Sequence, residues 1–270
     1  MWIEITPPPN VPSLENSNPS MAKRFTSICI THLIMHRQGW LKRKMQELGI
    51  DSMQKAIEFV IRNIDYPIVR GVPNDKHTYN AFNGKACYTI NLDYWSCASE
   101  TLMTYILNKK LYNRNGMGDC EDGGILTTAF LRILNIPAYT VFGVVYKNSR
   151  LLGGHGWTVA EFPDKTWRLI ETTLDIPPEW YNGYPEIDPE DNKWNVGGVT
   201  YEGLLKFDEA HYYEWMTKKT KTPKLLYIYL WFTKRNKHML RKYQELEQAW
   251  GIRIKPLKKR GILSRLRWRK

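Results

Sequence analysis

The sequence predicts an α+β fold in which a helix with a cysteine in its first turn packs on an antiparallel sheet. Two observations support this prediction. From Cys120 onward, apolar residues recur at helical spacing as far as Leu134. Three segments rich in Val, Phe, Tyr, Trp and Thr follow at 139–146, 155–162 and 166–172, and polar turn residues separate them. Short strands that follow a helix and are joined by tight turns are typical of the α+β class.

Helix start and stop signals organise the chain before this helix. Residues 21–48 mix apolar and basic side chains at helical spacing, which predicts a first helix. Asp51 and Ser52 offer an N-cap for a second helix over 53–64, whose apolar residues fall on one face. A third helix is predicted over 100–111, and residues 66–92, rich in Pro, Gly and Asn, are expected to be loop-rich.

Composition divides the chain into three parts. Residues 1–20 hold five prolines and are expected to form an extended arm, because proline disfavours helix. Residues 218–270 hold 18 Lys and Arg against two acids, whereas the rest of the chain holds 21 against 25. The formal net charge of +12 therefore comes from the C-terminal part. We predict a domain over 21–217, followed by a basic helical extension over 218–270.

Several classes of protein are disfavoured by composition. Hydrophobic residues make up 43% of the chain and charged residues 24%, which is ordinary for a folded soluble protein. The N-terminus lacks the basic and apolar regions of a signal peptide, and the longest apolar stretch, 225–232, is too short to span a bilayer. The four cysteines form no CxxC pair and have no zinc-binding spacing. We therefore expect free thiols and a cytoplasmic protein.

Cys120 is the residue best placed for nucleophilic chemistry. A thiol in the first turn of a helix lies at the positive end of the helix dipole, which stabilises a thiolate. Backbone N–H groups of that turn have no partner within the helix and can donate to a developing oxyanion. The neighbouring carboxylates of Asp119, Glu121 and Asp122 oppose a thiolate, so a histidine is needed nearby.

His155 is the histidine that the sequence offers. It lies among glycines in the segment 153–156, at the start of a predicted strand, which leaves its ring accessible. Glu171 and Asp175 are the carboxylates available to orient its imidazole. A single cysteine or histidine is more often a packing residue than a catalytic one. The order of these residues along the predicted elements nevertheless favours a Cys-His-carboxylate site.

Four segments together resemble the transglutaminase-like core of the papain-like cysteine superfamily. The family pattern is GDCxD at a helix start, LxxxGIPA before a strand, HxW, and a Trp followed by an acid. The segments here are GDCEDG at 118–123, LRILNIPA at 131–138, GHGW at 154–157 and WRLIETT at 167–173. The resemblance implies a papain-like fold with Cys120 as nucleophile, His155 as base and Glu171 as the orienting acid. The family usually has Asp in the last place, so Asp175 is the alternative acid.

The resemblance extends upstream. DYWSCASETL at 93–102 is similar to the stretch before the nucleophile in bacterial transglutaminase-like cysteine proteinases and related phage-encoded proteins. The resemblance thus spans about residues 51–175. Within it, Trp95 can supply an indole N–H to an oxyanion site or pack beneath the catalytic helix, and packing is the commoner role.

The resemblance implies cleavage of an amide or isopeptide bond in a protein or peptide through a thioester acyl-enzyme, with no metal or organic cofactor. Transamidation, which cross-links proteins, uses the same acyl-enzyme and is an alternative. A non-catalytic assembly component, for example of a virus particle, is a second alternative that the proline-rich arm and the basic extension would suit.

The basic extension, residues 218–270, is expected to dock on an anionic partner. Nucleic acid, an anionic membrane surface and an acidic protein assembly all fit its charge, and no nucleic-acid-binding motif accompanies it. A helix over 225–248 and a basic arm over 255–270 are predicted within it. We expect catalysis not to require this extension, because every predicted site residue precedes residue 176.

Overall fold

The structure is a computed structural model that describes residues 1–15, 24–66, 95–216 and 239–255, together with short strands at 68–69, 72–73, 79–80 and 85–86. Its helices and strands are numbered here in chain order. The helices in the described part are α1 (His32–Met35), α2 (Gln38–Glu47), α3 (Met53–Asn63), α4 (Ala98–Tyr112), α5 (Cys120–Ile133) and α6 (Met239–Trp250). The strands there are β1 (Trp2–Glu4), β2 (Asn10–Glu15), β3 (Arg24–Cys29), β4 (Ile64–Asp65), β5 (Ile68–Val69), β6 (Val72–Pro73), β7 (Tyr79–Asn80), β8 (Lys85–Ala86), β9 (Gly116–Met117), β10 (Ala138–Lys147), β11 (Arg150–Glu161), β12 (Trp167–Ile170), β13 (Glu186–Ile187), β14 (Lys193–Val196), β15 (Val199–Phe207) and β16 (Tyr212–Trp215).

An eight-stranded antiparallel sheet forms the centre of the molecule. Its order is β1-β16-β15-β10-β11-β12-β13, and β14 pairs with the free part of β15. The predicted strands at 139–146, 155–162 and 166–172 correspond to β10, β11 and β12, which are consecutive in this order. Together with the helices, the sheet confirms the predicted α+β class.

The helix predicted from Cys120 is confirmed as α5 and packs on β10 and β11. Its apolar face is fully buried, and buried hydroxyls fix its position on the sheet. Thr158 Oγ1 donates to the Gly124 carbonyl at 3.0 Å, and Thr140 Oγ1 donates to Thr128 Oγ1 at 2.9 Å. Because α5 begins at Cys120, this packing sets where the thiol lies relative to the strands.

Two further helix predictions are confirmed. Ser52 accepts a hydrogen bond from the Lys55 N–H at 3.4 Å and caps α3, as its sequence position predicts. The helix predicted over 100–111 is α4. The region 66–92 contributes the short strands β5 to β8, and the rest of it lies outside the described residues.

The N-terminal predictions need correction. The first residues are extended, as predicted, but they are not a detached arm: β1 pairs with β16, and Trp2 packs edge-on against Trp215 with ring centroids 5.3 Å apart.

The prediction of a single helix over 21–48 is wrong. Its described beginning is the strand β3, where aromatic and β-branched residues favour extended backbone, and Arg37, with φ at 58°, separates α1 from α2.

The C-terminal segment also differs from the prediction. Residues 225–238 of the helix predicted over 225–248 lie outside the described residues, and α6 runs from Met239 to Trp250. Tyr243 and Leu246 on α6 are fully buried, and Ile254 pairs with Leu174 in an antiparallel bridge. Residues 239–255 are therefore packed into the domain rather than held apart as an extension. No helix of the described part is long and apolar enough to cross a membrane.

Candidate active site

Two glycines allow α5 to approach the strands that carry the other candidate residues. A Cβ at Gly156, next to His155, would lie 3.0 Å from the Cα of Glu121. A Cβ at Gly123 would lie 2.6 Å from Thr172 Oγ1. Side chains at these positions would force the helix away from the strands, so both glycines are needed for close contact. This explains why glycines flank both the cysteine and the histidine in the sequence.

The structure brings His155 and Glu171 into direct contact. His155 lies on β11, and Glu171 directly follows β12, the neighbouring strand. The Nε2 atom of His155 is 2.7 Å from Oε2 of Glu171. Both side chains are fully buried, so the expectation that the flanking glycines leave the His155 ring accessible is wrong. This contact leaves Nδ1 as the ring nitrogen that can exchange a proton with another group. Nδ1 makes no hydrogen bond to a nitrogen or oxygen atom within the described part of the chain.

Cys120 interacts electrostatically with His155. Burial lowers the pKa of His155, but the electrostatic interactions of the imidazole with Glu171 and Cys120 outweigh burial and raise the pKa to about 9. The pKa of Glu171 moves in the opposite direction. Burial raises it, but the charge of His155 and the hydrogen bonds from His155 and Thr173 outweigh burial and lower it overall. The three residues are thus electrostatically coupled.

Glu171 receives hydrogen bonds on both carboxylate oxygens. Oε1 accepts from the backbone N–H of Thr173 at 3.0 Å and from its hydroxyl at 2.7 Å. Oε2 accepts from the hydroxyl of Tyr201 at 2.9 Å as well as from His155. The Tyr201 oxygen in turn accepts a hydrogen bond from the indole N–H of Trp250 at 2.8 Å. A buried carboxylate with this many donors is stabilised as an anion.

Sequence reasoning did not identify Tyr201, Trp250 or Thr173. Tyr201 lies on β15, on the opposite side of β10 from β11, and Trp250 lies in the basic C-terminal part. Neither belongs to a motif, and only the folded chain brings them to Glu171. Thr173 lies only two residues after Glu171, and this closeness along the chain is the signal that the sequence offers.

The thiol of Cys120 has a second acidic neighbour. Its Sγ donates a hydrogen bond to Oε2 of Glu121 at 2.7 Å, and both side chains are fully buried. Asp122, the other acid of the motif, has a structural role instead. Its oxygens accept from the backbone N–H of Asp119 at 3.4 Å and of Ser96 at 3.0 Å, which ties the start of α5 to the segment before α4.

The remaining predicted site residues lie around this centre. Asp175 is half-buried, its backbone N–H donates to the Arg253 carbonyl at 2.7 Å, and no ring nitrogen of His155 bonds to it. Trp95 is buried against Phe142, with ring centroids 4.7 Å apart. The Phe142 ring lies beside Gly156, so Trp95 packs close to the site, and its oxyanion role stays a prediction.

The other cysteines differ from Cys120 in surroundings. Cys29 is half-buried and has the Thr31 hydroxyl 3.3 Å from its sulfur, and Cys97 is buried at the start of α4. Cys87 lies outside the described residues. Within the described part of the chain, no group of three or more His, Cys, Asp and Glu side chains is arranged to hold a metal ion.

Comparison with known proteins adds family evidence. Residues 62–172, which include Cys120, His155 and Glu171, match the core model of the transglutaminase-like superfamily. A solved protein from Cytophaga hutchinsonii, provisionally described as a cysteine protease, is similar to this chain with 18% sequence identity and a TM-score of 0.29. The match covers 67% of this chain and 54% of that protein, so the chain spans about half of that protein's length. No curated protein matches the chain. Residues 62–172, which hold the motifs from GDCEDG to the start of WRLIETT, are thus similar to the transglutaminase-like core, and the narrower relation to phage-encoded proteins stays a prediction.

Proposed function

We propose that the protein cleaves an amide or isopeptide bond through a thioester formed on Cys120. The observation that carries this proposal is the pairing of His155 with two groups. Its Nε2 atom is bonded to Glu171, and its imidazole interacts electrostatically with Cys120. A histidine between a thiol and a carboxylate can move protons in both directions during acyl transfer. The family match of residues 62–172 supports catalysis by a cysteine.

The proposed reaction has two steps. In the first, Nδ1 of His155 takes the proton of the Cys120 thiol, and the sulfur attacks the carbonyl carbon to form a C–S bond. The C–N bond then breaks, and the departing amine takes the proton from His155. In the second step, His155 removes a proton from water, the resulting hydroxide attacks the thioester, and the acid leaves as the proton returns to sulfur. Glu171 stays ionised throughout and holds the ring of His155 in place.

The start of α5 can stabilise the oxyanion of both steps. Backbone N–H groups in the first turn of a helix have no acceptor within the helix and point toward its N-terminal end. Cys120 is the first residue of α5, so its own N–H lies next to the reacting sulfur. A donor placed there is worth about 3 to 4 kcal/mol in comparable sites. The assignment of Trp95 as a further donor is part of this proposal.

Hydrolysis and transamidation can be separated by the fate of the acyl group. A small activated ester, 4-nitrophenyl acetate, would acylate Cys120, and nitrophenol release would report the rate. Hydrolysis predicts free acetate as the product whether or not a primary amine such as putrescine is added. Transamidation predicts N-acetylputrescine in its place. Absence of acylation would favour the non-catalytic assembly role, which the basic extension also fits.

A further inference from the structure

The C-terminal segment, residues 239–255, contacts the polypeptide immediately after Glu171. Ile254 forms an antiparallel bridge with Leu174, and the N–H of Lys255 donates to the Thr173 carbonyl at 2.8 Å. The ammonium group of Lys255 is buried and donates to the Thr172 carbonyl at 2.9 Å. These bonds fix the backbone from which Thr173 donates to the Oε1 atom of Glu171.

The same segment reaches the other carboxylate oxygen through two side chains. The indole N–H of Trp250 on α6 donates to the phenol oxygen of Tyr201 at 2.8 Å. Indole can only donate, so the phenol oxygen must accept, and its single proton is left for another acceptor. That acceptor is Oε2 of Glu171 at 2.9 Å, the atom that faces His155. Trp250 thus determines the direction in which Tyr201 donates.

Tyr201 is suited to act as a neutral donor at this point. It is fully buried, and burial followed by the neighbouring charge of Glu171 raises its pKa well above the ordinary value of tyrosine. A hydroxyl that does not ionise can stabilise a buried carboxylate without adding charge. A loose carboxylate would let the imidazole of His155 turn, and small displacements of catalytic groups reduce rates strongly.

We infer that Tyr201 and Trp250 are positioning residues, which hold Glu171 in the orientation that keeps the His155 ring aligned with Cys120. The inference rests on the proposed function for its catalytic consequence. It gives the C-terminal segment a role in the site, in contrast to the expectation that catalysis does not need residues beyond 217.

The His155 ring itself provides a readout of this role. The titratable or charged groups around it come from several elements: Cys120 and Glu121 on α5, Glu171 after β12, Tyr201 on β15, and Lys242 and Tyr243 on α6. Lys242 is buried and donates to the Gly154 carbonyl at 3.0 Å, one residue before His155. Substitutions that keep all these charges, and remove only a neutral donor to Glu171, isolate the effect of that donor.

The experiment compares Tyr201→Phe and Trp250→Phe with two matched controls in the full-length protein. Tyr212→Phe removes another buried tyrosine hydroxyl, which donates to Glu214, and Trp2→Phe removes another half-buried indole donor, which donates to the Asp191 carbonyl. Nuclear magnetic resonance would give the titration midpoint of His155, and nitrophenol release would give the acylation rate as a function of pH.

Tyr201→Phe should lower the titration midpoint of His155 and reduce the acylation rate by about ten- to hundredfold, as expected for loss of a hydrogen bond to a charged group. Trp250→Phe should shift both quantities in the same direction by a smaller factor. Tyr212→Phe and Trp2→Phe should change thermal stability without moving either quantity. If Tyr201→Phe does not fold, the test rests on Trp250→Phe, because Trp250 is only half-buried and its replacement disturbs the fold less.

Two outcomes distinguish failure of the positioning inference from failure of the proposed reaction. If both site variants fold and keep the His155 midpoint and the acylation rate of the wild type, Tyr201 and Trp250 only pack, and the inference is wrong. In the second outcome, the wild type is not acylated, yet the His155 midpoint is lower in Tyr201→Phe than in the wild type. That result would contradict the proposed reaction but support the positioning of Glu171 and His155 by Tyr201.

Discussion

The sulfur of Cys120 lies 2.7 Å from Oε2 of Glu121, the residue that follows it on α5. In this arrangement the thiol donates its proton to the neighbouring carboxylate, while Nδ1 of His155 makes no hydrogen bond to nitrogen or oxygen within the described part. A carboxylate at this distance opposes negative charge on sulfur. The structure therefore represents a resting form, from which the thiol proton must pass to His155 before attack.

Replacement of Glu121 tests this interpretation. Glu121→Gln keeps the size of the side chain but removes its charge, so the alkylation of Cys120 by iodoacetamide at neutral pH should become several-fold faster. Peptide mapping by mass spectrometry would give the rate at each cysteine. Cys29, which is half-buried and distant in sequence, serves as an internal control and should not change. A slower reaction at Cys120 would instead identify Glu121 as the base.

Glu171 and Asp175 can be separated by isosteric substitution. Glu171→Gln removes the charge that faces Nε2 of His155, and we expect acylation to slow by roughly two to four orders of magnitude, as for other triad acids. Asp175→Asn should have a mild effect, because Asp175 is half-buried and not bonded to the ring. Circular dichroism would verify that both variants fold. The reverse ranking would give the role to Asp175.

The titration of His155 provides a test that does not need a substrate. Once the thiol proton has passed from Cys120 to His155, the pKa of the imidazole is raised to about 9, so this thiolate–imidazolium pair should persist through neutral pH and lose its proton as the pH rises through about 9. Cys120→Ala removes one of the two charges responsible, and the midpoint should fall toward the ordinary value of 6.5. Nuclear magnetic resonance of the ring would measure both midpoints. An unchanged midpoint in Cys120→Ala would show that the thiol and the imidazole are not coupled.

Truncation separates the two parts of the basic extension. A chain ending at residue 255 keeps Trp250 and Lys255, so its acylation rate should equal that of the full chain. A chain ending at residue 217 loses both contacts and should be inactive or unfolded, contrary to the expectation from sequence. Equal activity of the two truncated chains would show that residues 239–255 do not support the site.

Binding of the basic extension to an anionic partner stays a prediction from sequence. Residues 256–270 hold seven Lys and Arg and no acid. Their removal should weaken binding to heparin, used here as a model polyanion, and lower the salt concentration that elutes the protein, because counterion release drives such binding. Identical elution of the full chain and the chain ending at residue 255 would argue against docking through these residues.

Local patterns predicted α5 and the strands beside it with good accuracy. The apolar spacing after Cys120 defines α5, and the order of Cys120, His155 and Glu171 along a helix and two neighbouring strands is enough to predict that they meet. Residues close together in the sequence determine the helix and each strand, so each segment contains the information needed to predict its own secondary structure. The strand β3 was missed because its basic and apolar residues also fit helical spacing, and pairing with β2 decides between the two.

The support of Glu171 could not be predicted because it depends on contacts between distant segments. Tyr201 lies 30 residues after Glu171, and Trp250 a further 49 residues on. Their hydrogen bonds exist only once β15 and α6 are in place. The charge of the C-terminal part also gives a wrong prediction. The excess of Lys and Arg predicts a solvated extension, yet Lys242 and Lys255 are buried with their ammonium groups bonded to backbone carbonyls.

The most direct test of the proposed chemistry is the mass of the protein during its reaction with 4-nitrophenyl acetate. Rapid quenching and intact mass spectrometry should show one acetyl group per chain, and peptide mapping should place it on Cys120. The adduct should disappear in Cys120→Ala and form far more slowly in His155→Gln. Acetylation that is absent in the wild type, or that persists at the same rate in Cys120→Ala, would contradict a thioester mechanism at this site.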